Sequence, residues 1–204
     1  MDASVGLVQA LLPVIAHVSA RVAASHPSAR ILGTERMGSA VVVDPGGLLL
    51  TVNYVVMGAR RVRVTMTDGR RLEAKVAAQD FESGLALLRV PAAGLPAARL
   101  ASSDEIALGA SVFVLASTGP TDRRVAGGIV TDLGEFEAYW EYMLDRGIVS
   151  SASNPGFGGG PCSISAAPWS AWSPSTSRGS AGSPWRFPWS TSRGIGRSCS
   201  GSDA

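Results

Sequence analysis

The glycine-rich segment Asn154-Pro-Gly-Phe-Gly-Gly-Gly-Pro161 is the part of the sequence whose residues most suggest chemistry. Glycines at this density let backbone N–H groups approach a bound oxygen closely, as in a loop that forms an oxyanion hole. Such a loop serves a nucleophile, most often a serine, threonine or cysteine side chain. The segment contains none of these residues. It therefore predicts a cradle for an oxygen atom without an attacking group.

Other side chains that could do chemistry are few. His17 and His26 are the only histidines, and Cys162 and Cys199 are the only cysteines. There is no CxxC motif and no Cys/His pairing, so we expect no metal site and no cofactor. We expect His17 to lie on a strand and His26 in a surface loop. The alternative is that one of them is a relocated catalytic base.

The composition is that of a chain with a packed core and little net charge. The 204 residues are 46% hydrophobic and 17% charged, with a net charge of +2, which fits one medium domain or two small halves. The one basic cluster comprises Arg60, Arg61, Arg63, Arg70 and Arg71. It flanks an alternating segment and lacks interleaved aromatic residues, so we interpret it as a solvated strand face and expect no nucleic-acid partner.

Residues 37–131 show the pattern of many short strands. Strands are predicted at 39–44, 48–52, 62–66, 71–76, 85–90, 111–116 and 124–131. Pro45-Gly-Gly47 and Asp68-Gly69 supply turns between them. The acidic and aromatic segment 135–145 is predicted to be a loop or one short helix. Short strands without helical interludes favour an all-β fold, an antiparallel barrel or sandwich.

Five stretches in order resemble the trypsin-like domain of the Do-like (high-temperature-requirement) serine proteases. They are GSAVVVDPGGLLLTVNYVV, VTMTDGRRLEAKVAAQDFESGLALLRV, LPAARLASSDEIALGASVFVLAS, RRVAGGIVTDLG and NPGFGGGP. The resemblance covers about residues 37–161. It implies an all-β, trypsin-like double antiparallel β-barrel with an incomplete second barrel. The expected divisions are an N-terminal arm with room for a first strand (1–36), a first barrel (37–105), a partial second barrel (106–161) and a tail (162–204).

The resemblance also implies which positions would carry catalysis. In the family a serine attacks the scissile carbonyl, a histidine takes the proton and an aspartate orients the histidine. The family's motifs place Tyr54 at the histidine position, Gly84 at the aspartate position and Gly158 at the serine position. A phenol has an ordinary pKa of about 10, so it stays protonated at neutral pH and is a poor base. Asp80 and Glu82 lie near Gly84, but a carboxylate without an imidazole orients nothing, so no catalytic residue is predicted.

Two backbone groups could still bind a ligand. The N–H groups of Gly156 and Gly158 occupy the positions where the family forms its oxyanion hole. They would donate to a peptide carbonyl or a C-terminal carboxylate, so the expected partner is a peptide or an unfolded protein. The alternative is that so many glycines make the loop merely flexible.

The tail differs from the rest of the chain. Residues 162–204 contain no valine or leucine, thirteen serines and four of the five tryptophans. We expect no regular strands there, and disorder instead. A reading frame shifted by one base near Pro161 permits valine- and leucine-rich segments at 162–177 and 185–192, similar to the family's last two strands. A frameshift is therefore our hypothesis, with a purposeful Ser/Trp tail as the alternative, and Cys162 then lies in unrelated sequence.

These observations leave three functional hypotheses. The first is a protease homologue that lacks all three triad groups and at most binds peptide or protein. The second is an active serine endopeptidase, as family membership would imply, and the third is a non-functional product of a frameshifted gene. Asp2 stands where a signal peptide would carry basic residues. We therefore expect no clear signal peptide, a cytoplasmic location although the family is often exported, and no membrane span.

Overall fold

A computed structural model of the chain describes residues 3–100, 103, 106–138, 142–164 and 176–177. The chain begins with helix α1 (Ala3–Leu11), a 3-10 turn (Leu12–Val14) and strand β1 (Ile15–Val22). The elements that follow are α2 (Ala29–Leu32), β2 (Glu35–Asp44), β3 (Leu48–Val52), α3 (Asn53–Val56), β4 (Ala59–Thr65), β5 (Arg71–Asp80), β6 (Leu85–Arg89), β7 (Ser111–Ser117), β8 (Arg123–Ala138), β9 (Tyr142–Ser150), β10 (Cys162–Ile164) and β11 (Thr176–Ser177). The expected all-β fold is confirmed.

The first six strands close into an antiparallel barrel in the order β1-β2-β3-β6-β5-β4. β1 pairs with β2 on one side and with β4 on the other, so that His17 lies opposite both Ser39 and Thr65. The barrel therefore begins at Ile15, within the segment 1–36 where we expected an arm with room for a first strand. The reason is that β1 is apolar and mostly buried, with Ile15 and Val18 fully enclosed, and without it β2 and β4 would be open edges.

Two tight connections in the barrel are the turns that the sequence predicted. Gly47 lies between β2 and β3 with φ +97°, and Gly69 lies between β4 and β5 with φ +85°. Only glycine adopts this left-handed region without steric cost. The two hairpins therefore follow from local sequence.

The second half is an open sheet with the strand order β10-β7-β8-β9-β11 among the described residues. Its longest hairpin contradicts the prediction of a loop or short helix at 135–145, because β8 continues to Ala138 and β9 starts at Tyr142. Phe136 lies opposite Leu144 in this hairpin. Leu144 and Ile148 of β9 are buried, so pairing and packing override the acidic composition.

Two short segments of the tail also form strands of this sheet. β10 pairs with β7, and β11 pairs in parallel with β9, so the expectation that 162–204 forms no strands is wrong for these five residues. Cys162 is buried and serves as a small apolar residue, and the Leu115 N–H donates to the Pro161 carbonyl at 3.0 Å just before it. The disorder that we predicted for the rest of the tail falls on residues outside the described ranges.

Among the described residues, no helix is long and apolar enough to cross a membrane.

Candidate functional site

Tyr54 and Gly158 lie side by side. Tyr54 is in α3, directly after β3, and Gly158 is in the glycine-rich loop before β10. A β-carbon built on Gly158 would lie 2.5 Å from the Tyr54 hydroxyl oxygen and 3.6 Å from Cζ of its ring. The tyrosine hydroxyl thus occupies the space into which a side chain at position 158 would project.

Gly84 is linked to the residue before Tyr54 by a backbone hydrogen bond. It is buried between β5 and β6, with φ +69°. Its carbonyl accepts a hydrogen bond of 2.7 Å from the N–H of Asn53, the residue before Tyr54. The structure therefore brings the three predicted positions together at one place, and the groups that it brings there are a phenol and two glycine backbones.

The two carboxylates near Gly84 are used by their own turn. Asp80 accepts hydrogen bonds from the Ser83 hydroxyl at 2.6 Å and from the Glu82 N–H at 3.0 Å. Asp80 and Glu82 are both exposed. These contacts build the connection between β5 and β6.

The glycine-rich loop is held firmly against the barrel. Ser39 donates its N–H to the Gly158 carbonyl at 2.7 Å and its hydroxyl to the Phe157 carbonyl at 2.6 Å. The Phe157 N–H in turn donates to the carbonyl of Ser117 at 2.9 Å. The segment is therefore anchored on β2 and β7, and its glycines do not make it a loose loop.

The anchoring fixes the direction of one predicted donor. The described residues contain no cis peptide bond, and in a trans peptide the C=O and N–H groups point in opposite directions. Because the Phe157 carbonyl faces Ser39, the Gly158 N–H faces away from Ser39. The other predicted donor differs: the Gly156 N–H donates to the Asn154 side-chain oxygen at 3.1 Å.

A buried polar cluster supports the loop from beneath. His17 is only 3% exposed, its Nδ1 lies 2.9 Å from the Ser117 hydroxyl, and its ring centroid is 5.8 Å from that of Phe157. The Ser117 N–H donates to the Ser39 hydroxyl oxygen at 2.9 Å. Burial lowers the pKa of His17, and the positive charge of Arg123 lowers it further. His17 is on a strand as predicted, and Ser117 is fully buried, so this pair cannot reach a substrate.

His26 has a structural setting of its own. It lies in the turn that follows β1, where its Nδ1 is 2.7 Å from the Ser28 hydroxyl. Its ring covers Gly58, and a β-carbon there would collide with the imidazole. His26 therefore packs beside the C-terminal end of α3.

Arg36 positions α3. Its guanidinium donates to the Tyr54 carbonyl at 2.7 Å, to the Met57 carbonyl at 3.1 Å, to the Gly33 carbonyl at 3.1 Å and to the Ser28 hydroxyl at 2.7 Å. Arg36 is 5% exposed, and burial lowers its pKa. All four acceptors are neutral. Arg36, Ser39 and Ser117 were not predicted from the sequence. No local pattern marks the two serines, since their contacts join residues 78 to 118 positions apart.

Two further expectations concern a metal site and the basic cluster. Within the described part of the chain, no group of three or more His, Cys, Asp or Glu side chains could hold a metal ion. Arg61 and Arg63 form ion pairs with Glu73 at 3.0 and 3.2 Å on the exposed barrel wall, and Arg70 pairs with Asp68.

Comparison with known families gives one match to a family model. The model describes a trypsin-like peptidase domain and matches residues 38–164. This range includes Tyr54, Gly84 and Gly158.

Curated proteins show the same similarity. A protein of Ectopseudomonas mendocina (strain ymp) named "Probable periplasmic serine endoprotease DegP-like" is 34% identical over 139 residues, which are 67% of this chain and 28% of that protein. A protein of Hahella chejuensis with the same name is 36% identical over 127 residues, 61% of this chain and 26% of its own length. The chain thus spans less than a third of these relatives.

Solved structures agree on the fold. "HtrA-type protease AlgW with tripeptide" superimposes with a TM-score of 0.69 and 27% identity, covering 81% of this chain and 52% of that chain. The structure of Deg5 superimposes with a TM-score of 0.66 and 23% identity, covering 80% of each chain.

Proposed function

Because the chain belongs to the family of trypsin-like peptidase domains, we propose that it is a non-hydrolysing homologue that binds peptide or unfolded protein segments. In this proposal Tyr54, Gly84 and Gly158 stand at the histidine, aspartate and serine positions of the Do-like proteases. None of the three supplies the base, the orienting carboxylate or the nucleophile of a serine protease. Belonging to the family does not supply the activity, because the activity depends on those side chains.

The contact between Tyr54 and the empty side-chain position of Gly158 carries this proposal. A nucleophile at position 158 would project directly into the tyrosine hydroxyl, which is 2.5 Å from its β-carbon position. The site is therefore filled where a protease would hold its attacking oxygen. At the same time the Gly158 N–H faces away from Ser39 and offers a backbone donor to a ligand.

The ligand class follows from the fold and from similar structures. An HtrA-type protease that superimposes on this chain has been solved with a tripeptide. We propose that this chain also binds a peptide, at the Gly158 N–H.

Two measurements on the full chain test the proposal together. Casein hydrolysis should not exceed background, and a fluorophosphonate probe should not label the protein. Fluorescence anisotropy with a library of short labelled peptides should show saturable binding. Hydrolysis that a serine-directed inhibitor abolishes would show an active endopeptidase instead, whereas the absence of both hydrolysis and binding would leave the third hypothesis.

That third hypothesis is a non-functional product of a frameshifted gene. The composition of residues 162–204 favours it, because this segment has only Ile164 and Ile195 as branched aliphatic residues. Sequencing the gene across the Pro161 codon tests the frameshift directly. An uninterrupted frame that is reproduced in independent isolates would support a purposeful tail.

A further inference from the structure

We propose that this site prefers a peptide with a free C-terminal carboxylate, which the Tyr54 hydroxyl and the Gly158 N–H bind together. The inference rests on the proposed function, since it names the chemical class of peptide that the same site takes. It assigns Tyr54 a role as a binding residue at the position where the family carries its base.

The two groups are neighbouring hydrogen-bond donors. The Gly158 N–H is directed away from Ser39 because the preceding carbonyl is held by the Ser39 hydroxyl at 2.6 Å. The Tyr54 hydroxyl lies 2.5 Å from the β-carbon position of the same residue, and a phenolic O–H can turn its hydrogen toward a ligand while its oxygen still accepts. An oxygen-bearing ligand at Gly158 therefore meets both groups.

A carboxylate fits such a pair better than an internal peptide bond does. It offers two oxygens, so one can accept from Gly158 and the other from Tyr54, and hydrogen bonds to a charged acceptor are the stronger kind. An internal peptide group has one oxygen, and its chain must continue past Gly158.

A buried cation lies beside the helix that carries Tyr54. Arg36 donates to the Tyr54 carbonyl at 2.7 Å, so its positive charge lies under the same helix, and its four acceptors are neutral. The carboxylates nearest in sequence to Gly84, those of Asp80 and Glu82, are exposed, and water screens them more than it screens a buried guanidinium. Arg36 is therefore the charged side chain that these hydrogen bonds place beside α3.

The experiment compares matched peptides that differ only at the C-terminus. A peptide that binds the full chain is made as the free acid and as the C-terminal amide, and both are titrated by fluorescence anisotropy. We expect the acid to bind roughly tenfold more tightly, as the loss of one hydrogen bond to a charged group implies. The Tyr54→Phe variant should lose most of this preference. The Tyr142→Phe variant, altered on β9, is the matched control and should keep the preference.

The outcomes separate the two proposals. If acid and amide bind equally and Tyr54→Phe changes neither, the carboxylate inference is wrong while peptide binding stands. If neither peptide form from a broad library binds, the proposed function fails and the inference fails with it. The far-UV circular dichroism spectrum of Tyr54→Phe should match that of the parent chain, so that a lost preference reports on the hydroxyl and not on the fold. Tyr54→His is a second variant, which keeps a hydrogen-bond donor at this position.

Discussion

The contact between Tyr54 and Gly158 predicts that two small substitutions depend on each other. In the parent chain, the new methyl group of Gly158→Ala would lie 2.5 Å from the tyrosine hydroxyl oxygen, so the ring must shift. In the Tyr54→Phe background that oxygen is gone, and the nearest ring atom, Cζ, lies at 3.6 Å, an ordinary van der Waals distance. The same substitution therefore meets a clash in one chain and a fitting neighbour in the other.

The expected energies have opposite signs. Inserting a methyl group into occupied space typically destabilises by about 1–3 kcal/mol, and Tyr54 is only half-buried, so its ring can move and we expect about 1 kcal/mol. Gly158 does not have a positive φ. With the clash removed, Gly158→Ala should therefore stabilise by about 0.5 kcal/mol, because alanine restricts the unfolded chain. The coupling energy is then about 1.5 kcal/mol, well above the error of about 0.5 kcal/mol for independent sites.

Urea unfolding of the four chains, followed by circular dichroism, measures this cycle. Gly69→Ala is the matched control: its φ is +85° and open space surrounds it, so its cost should be the same in the parent chain and in the Tyr54→Phe background. Additive effects of Gly158→Ala and Tyr54→Phe would refute the placement of the tyrosine hydroxyl over Gly158. Additive effects would also remove the main support for a filled nucleophile position.

Three further predictions concern other parts of the molecule. The free energy of unfolding should fall as pH drops below about 6.5. The reason is that the pKa of buried His17 is lowered from the ordinary value of 6.5, so the unfolded chain binds more protons than the folded chain in this range. Urea titrations between pH 7.5 and 5.5 should show this fall, and His17→Asn should flatten it. The triple variant Tyr54→His, Gly84→Asp and Gly158→Ser should hydrolyse casein barely above background, because the Gly156 N–H, one of the two donors that the resemblance assigns to the oxyanion hole, is already bonded to Asn154. Efficient cleavage would contradict this geometry. Restoring the alternative reading frame after Pro161 should raise the thermal unfolding midpoint, since each buried valine, leucine or isoleucine that it adds contributes about 1.5–3 kcal/mol. Equal midpoints for the present chain and the frame-corrected chain would show that the present tail stabilises the fold equally.

The barrel could be predicted largely because its signals are local. Apolar runs in β2 and β3, alternating residues in β4 and β5 and the glycines at positions 47 and 69 determine hairpins within a few residues. The hairpin of β8 and β9 could not be predicted this way. The segment 135–145 is acidic and aromatic, yet its residues 135–138 and 142–145 belong to strands, because 136–138 pair with 142–144 and because Leu144 packs inward.

The candidate site likewise combines residues that were predicted from the sequence with residues that were not. The resemblance to the Do-like proteases indicated Tyr54, Gly84 and Gly158; Tyr54 lies against Gly158, and Gly84 is hydrogen-bonded to Asn53 beside Tyr54. The groups that hold them were not visible in the sequence, because Ser39 reaches Phe157 across 118 positions and Arg36 reaches the Tyr54 carbonyl from the start of β2. Such contacts depend on barrel closure and on the packing of the loop against it, which no local pattern encodes.

The supports of this site do not depend on catalytic side chains. Ser39 holds the loop through two backbone carbonyls, and Arg36 holds α3 through two more. Replacing the residues at positions 54 and 158 leaves these backbone contacts in place, so the direction of the Gly158 N–H is independent of whether a nucleophile is present. A scaffold anchored in this way can lose hydrolysis and still present its donors to a ligand. These contacts are therefore compatible with the binding without cleavage that we propose.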